Sequence, residues 1–286
     1  MGTSASSNGP ASGVPFDPPW LENITLPGSE EISQSDSDTH NDDSEENQTN
    51  PSQQSSPESV EVAPPRRFYG ARLALGQFAR TGQQDAFRRA VGHYSRTGMG
   101  GARNTTRRMR TSTRTATKVF SFLQSARDGT NPEINEWVAS LSGRNASPQE
   151  IANEIIQKVL PFGGSQDETA CRESMAQAIG DLLTDSPSID LLHLGNNDIW
   201  TLIESFLSYE AFHRLYLDIG QVFEDPGLSP RDRVTRMNEM QNYLKAELQA
   251  QIRNVRREKS NVGSDQLQSI LQNALQNTFV VYEGSI

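Results

Sequence analysis

The chain has 286 residues, of which 34% are hydrophobic, with a mean hydropathy of −0.64 and a formal net charge of −10. One cysteine, Cys171, excludes an internal disulfide framework and a cysteine-based zinc site. No run reaches the ~18 apolar residues a membrane helix needs, and the N-terminus lacks the basic and apolar regions of a secretory signal, so the expected compartment is the cytoplasm, with no membrane partner.

The charge is segregated along the chain. Residues 1–64 sum to −12 with no Lys or Arg, residues 65–118 to +12 with Asp85 as the single acid, and residues 119–286 to −10. These blocks divide the chain into an N-terminal peptide (1–28), an acidic linker (29–64), a basic helical region (65–128) and an acidic α-helical domain (129–286). The linker is rich in Ser, Asp, Glu, Asn and Gln. It holds too little apolar surface to offset a chain entropy of ~1–2 kcal/mol per residue, and the expectation is a long disordered tail ahead of an all-α body.

From Arg66 the pattern turns helical. "RRFYGARLALGQFARTG" and "QQDAFRRAVGHYSRTG" read as two short helices, each closed by Thr-Gly with the glycine in the left-handed position. Arg103 to about Ala126 reads as one longer amphipathic helix. Arg103, Arg107, Arg110 and Arg114 share one stripe of it, with Met109, Ala116, Val119, Phe120 and Leu123 roughly opposite. Asn131-Pro132, Ser147-Pro148-Gln149-Glu150, Ser165-Gln166-Asp167-Glu168 and Ser229-Pro230-Arg231-Asp232 are helix starts, two of them capping boxes. Residues 197–224 are apolar nearly all round, as a central core helix must be, and a last helix spans about 265–280.

Few residues carry the signature of a reaction. Glu210-x-x-His213 has the spacing of half a carboxylate-bridged metal site, but no second such pair exists, so a structural histidine and no metal are expected. There is no P-loop, no G-x-S-x-G and no Cys–His dyad; Cys171 lies on an apolar helix stripe, where a thiol is inert. The expectation is a non-enzyme without a cofactor. The arginine face suits either nucleic-acid phosphates, with Phe68, Tyr69, Phe78, Phe87 and Tyr94 as stacking groups, or an acidic protein surface if those aromatics are core.

The start, "MGTSAS", fits the loose M-G-x-x-x-[ST] pattern for lipidation at Gly2, although a single acyl chain holds a membrane only marginally. Physically it provides a small second residue and, once Met1 is removed, an unhindered α-amine with a pKa of ~7.7–8.0 that keeps a nucleophilic fraction near neutral pH. Phe16, Pro18, Pro19, Trp20 and Leu21 then form a Pro-rich anchor, suited to docking in a partner or to sticking back on the chain's own body.

"MGTSASSNGPASGVPFDPPWL", "RRFYGARLALGQFART", the Gly-Gly-Ala-Arg step at 100–103 and the helical C-terminal half resemble the QatB family of the bacterial Qat anti-phage defence systems. The resemblance implies neighbours: an ATPase, a TatD-like nuclease and a QueC-like enzyme (QatC) of the kind that activates a 7-deazaguanine carboxylate with ATP. It further implies that Gly2 accepts the nucleobase through its amine, that Thr3 and Ser4 are read beside it, and that Phe16, Pro19, Trp20 and Leu21 hold the peptide. Phe16 stands where a smaller aliphatic residue is expected. A nucleic-acid-binding adaptor working through Arg103, Arg107, Arg110 and Arg114 is the alternative function.

Overall fold

The computed structural model describes residues 63–161, 166–258 and 264–286. Every regular element among them is a helix, as the patterning requires: α1 (Tyr69–Thr81), α2 (Gln84–His93), a π-helical turn (Tyr94–Gly98), α3 (Ala102–Arg108), α4 (Arg110–Asp128), α5 (Pro132–Gly143), α6 (Pro148–Val159), α7 (Gln166–Asp185), α8 (Asn196–Ile219), a 3-10 turn (Gly220–Glu224), α9 (Pro230–Glu258) and α10 (Ser264–Glu283).

α8 is the spine. Ile199, Ile203, Phe206 and Leu207 are completely buried, and α7, α9 and α4 pack around it. Each fully buried large apolar side chain contributes ~1.5–3 kcal/mol relative to exposure, which is why a helix apolar on nearly every face ends up central. The α1–α2 hairpin closes one side: Phe87 meets Phe78, Tyr243 of α9 and Tyr282 of α10 at ring separations of 5.4–5.9 Å. The basic region 65–128 and the acidic region 129–286 therefore share one continuous core running from Phe68 to Tyr282.

Several helix ends follow local rules. Gly82 closes α1 at φ 69°, its N–H donating to the Phe78 carbonyl. The Asn131 Oδ1 accepts from the Glu133 and Ile134 N–H groups at the start of α5, and Ser147 and Glu150 form the reciprocal capping box of α6. The Ser229 hydroxyl accepts from the Asp232 N–H at the start of α9. The predicted start of α7 at Ser165 lies outside the described residues.

Two expectations in the basic region are corrected. Gly98 does not end the second helix in the left-handed region; the backbone winds through the π turn, and positive φ arrives at Gly100 (79°) and Gly101 (106°). Gly98 is there for clearance: a Cβ on it would lie 2.5 Å from the Phe68 ring. The long helix expected from Arg103 is two helices broken at Met109 (φ −95°, ψ 17°), whose side chain is buried. Threonine hydroxyls bond back to carbonyls on both sides of the break, Thr105 to Gly101, Thr106 to Ala102 and Thr113 to Arg110, and such back-bonding bends helices.

Candidate functional site

The predicted site residues fall in two groups. Gly2, Thr3, Ser4, Phe16, Pro19, Trp20 and Leu21 all lie outside the described residues. Arg103 and Arg107 sit on α3 and Arg110 and Arg114 on α4, with Arg103 and Arg114 exposed and the other two half-buried. The break at Met109 distributes the stripe over two helices. Packing α10 against the opposite side of both keeps it facing outward. Partial burial, reinforced by the neighbouring positive charge of Arg114, lowers the pKa of Arg110, and its buried Nε has no hydrogen-bond partner.

The aromatics of the basic block are not available for stacking on bases. Phe68, Phe78, Phe87 and Tyr94 are buried, and only Tyr69 is exposed. Phe68 stacks on Tyr94 with ring centroids 5.6 Å apart, and the Tyr94 hydroxyl donates to Asp218 Oδ2 at 2.8 Å. Burial and the adjacent Asp218 carboxylate push the Tyr94 phenol well above its ordinary pKa, so it stays neutral and donates. Beside Phe68 lies a cleft of about 310 Å³ lined by Arg66, Phe68, Tyr69 and Arg72. The Arg67 and Arg72 guanidinium groups stand 4.9 and 6.0 Å from the Phe68 ring centre, within the range of a cation–π attraction.

The second cluster is internal, and the helical pattern alone did not reveal it. The Glu210 carboxylate is buried where α4, α7 and α8 meet. Its Oε2 accepts from the Ser112 hydroxyl (2.6 Å) and the Cys171 thiol (3.3 Å), and its Oε1 from the Ser174 hydroxyl (2.5 Å). Ser174 Oγ also lies 3.1 Å from His213 Nδ1. The signal was a glutamate on the apolar α8 and serines on otherwise apolar stripes; their pairing depends on residues up to 98 positions apart.

This arrangement is structural chemistry. In an activated serine the imidazole stands between hydroxyl and carboxylate and removes the proton. Here Ser174 stands between them, gives its proton to Glu210 and is fully buried. The carboxylate oxygens are occupied by hydroxyl and thiol donors. Burial, assisted by Glu210, raises the Cys171 pKa far above the ordinary thiol range and so disfavours the thiolate. Among the described residues, no three His, Cys, Asp or Glu side chains are grouped to hold a metal ion, and no helix is long and apolar enough to cross a membrane.

Residues 100–282 match the family model of QatB, the Qat anti-phage system associated protein. The match begins at the Gly-Gly-Ala-Arg step and takes in the helical body from α3 through nearly all of α10. Comparisons with curated proteins and with solved structures give no match.

Proposed function

The chain belongs to the QatB family of the Qat anti-phage system, and on that premise we propose that it serves the defence system as a substrate and scaffold, with Gly2 as the acceptor for a 7-deazaguanine. The chemistry belongs to a QueC-like partner that converts the nucleobase carboxylate to an acyl adenylate with ATP. The unprotonated Gly2 amine attacks the acyl carbon, the new C–N amide forms as the bond to AMP breaks, and the amine gives up a proton. Thr3 and Ser4 are read beside the amine, and Phe16, Pro19, Trp20 and Leu21 seat the peptide in the partner.

The observation that carries this reading is the "MGTS" start, which 58 further residues separate in the sequence from Ala63, the first described residue. The body supports it from the other side. Its buried polar cluster around Glu210 is an acceptor facing hydroxyl and thiol donors, which supports placing the covalent step on a partner. The exposed apolar side chains Tyr69, Leu73 and Leu217 suit the scaffold role toward the QueC-like enzyme, the system's ATPase and its TatD-like nuclease, in the cytoplasm where ATP is present. Burial of four of the five aromatics weighs against base stacking and hence against the nucleic-acid adaptor.

Mass spectrometry of the intact protein and of its N-terminal peptide, produced with and without the neighbouring genes, tests the proposal. The expected result is an enzyme-dependent increment on the peptide beginning at Gly2, matching a deazaguanine acyl group. The Gly2→Pro variant is expected to lose both the increment and phage protection. A bare Gly2 in both backgrounds overturns it.

A further inference from the structure

We infer that the cleft at the start of α1 and the apolar face beside it form a docking site for an acidic–apolar segment of a partner protein. That segment sets an Asp or Glu carboxylate among the arginines of the cleft and an apolar side chain on Tyr69 and Leu73. The inference rests on the scaffold part of the reading above and names its surface and chemistry. The cleft, of about 310 Å³, is lined by Arg66, Phe68, Tyr69 and Arg72. Its floor is fixed. The Phe68 ring stacks on Tyr94, and the missing side chain of Gly98 makes room for it. The Tyr94 hydroxyl donates to the Asp218 carboxylate and Arg72 to the Asp218 carbonyl at 3.1 Å, which ties the cleft to the end of α8 at two points.

Two features define the occupant. The first is charge. Arg66, Arg67 and Arg72 bring three guanidinium groups to this turn, none of the 13 residues of α1 is acidic, and the Asp218 carboxylate already accepts the Tyr94 hydroxyl. Arg66 is exposed and makes no ion pair with a described residue. Its backbone stands in the left-handed region at φ 55° and its carbonyl accepts the Tyr69 N–H at 2.7 Å, so the turn itself holds it at the cleft. A guanidinium fork takes a carboxylate or a phosphate, and the second feature decides between them. Tyr69 and Leu73, one turn apart on the same face of α1, are 63% and 61% exposed. A phosphate backbone has nothing to cover a leucine, whereas a peptide covers it with a side chain a few residues from its acid. Pairing this face with its own copy would bring arginine against arginine, which like charge opposes.

A photo-reactive phenylalanine analogue in place of Leu73, in the full-length chain produced with the QueC-like enzyme, the ATPase and the nuclease, tests the inference. The expected product is a cross-link to one of the three, at a segment where an Asp or Glu stands within about four residues of the attached apolar side chain. The same analogue in place of Val234, 57% exposed on α9, sets the background. Arg66→Glu is expected to lower the yield about tenfold, because it sets like charges opposite one another. Arg66→Asn, which tolerates the left-handed backbone and only removes the charge, should lower it less. A yield no higher than at Val234, a cross-link within the chain or to a second copy, a cross-linked segment without an acid, or a yield indifferent to Arg66→Glu each overturns the inference. Failure of the Gly2 reading is distinguishable, since Gly2→Pro is expected to leave the cross-link unchanged. Co-purification of the unlabelled chain with a neighbour that gives no cross-link would keep the scaffold and remove this site.

Discussion

Helix ends are fixed in different ways in the two halves of the body. In residues 129–258, α5, α6 and α9 are started by side chains of their own segment: Asn131, Ser147 with Glu150, and Ser229. In residues 63–128, the end of α2 and the break between α3 and α4 are set by what lies across the fold. The Phe68 ring presses on Gly98, and the core takes in Met109. Tertiary-set ends tie the shape of the arginine face to the integrity of the core beneath it.

One buried polar joint between the halves is Glu210, which accepts from Ser112 in the basic half and from Cys171 and Ser174 in the acidic half. Glu210→Ala takes the acceptor from the buried Ser112 hydroxyl and Cys171 thiol, leaves Ser174 with His213 Nδ1 alone and opens a void, and is expected to destabilise the protein by about 3–5 kcal/mol. Glu210→Gln, which keeps one acceptor oxygen but turns the other into a donor group facing donors, is expected to cost less. Urea unfolding followed by circular dichroism measures both. A loss below about 1 kcal/mol for Glu210→Ala would mean that the Glu210 cluster adds little to what the packing and the other contacts between the halves, such as Tyr94 with Asp218, already hold.

The next effect separates the two kinds of helix end. Gly98→Ala drives a methyl to within 2.5 Å of the Phe68 ring, and Phe68 is held from its other side by Tyr94. Overpacking of this kind costs about 1–3 kcal/mol. Because the displaced element is the π turn that carries Arg96, the variant is also expected to lose protection from hydrogen exchange in the π turn before α8 is affected. Uniform loss across the body would show that the turn is no weaker than the spine.

The same contrast explains what could be read from the chain. The helical class, the central position of α8, the caps at Asn131, Ser147 and Ser229 and the outward arginines follow from short-range rules, because period and capping act within a few residues. The Thr-Gly stop was legible at Gly82, where glycine takes the left-handed conformation, and misread at Gly98, where the same dipeptide serves a close approach instead. The break at Met109 has no proline or glycine to mark it. The Glu210 cluster needs three helices to be placed before its residues meet. The arginine stripe was legible as a surface, but its partner was not, since exposure of a charge does not say what neutralises it.

The smallest effect tests the locally capped side. Ser147→Ala removes the hydroxyl that accepts the Glu150 N–H and is expected to cost about 1 kcal/mol, confined to α6. The box also has a pH signature. The Ser147 backbone N–H and then its hydroxyl, both donating to Glu150 Oε2, hold the Glu150 carboxyl below the usual range. A carboxyl with a depressed folded pKa contributes stability that is present above its unfolded value of about 4.3 and is lost as pH falls through the folded value. The gap in stability between wild type and Ser147→Ala should therefore be widest near neutral pH and narrow below about pH 4, as Glu150 takes up its proton and its charge-assisted half of the box weakens. A gap that stays constant through that range would assign the cap to the hydroxyl alone and leave the carboxylate as a solvated surface group.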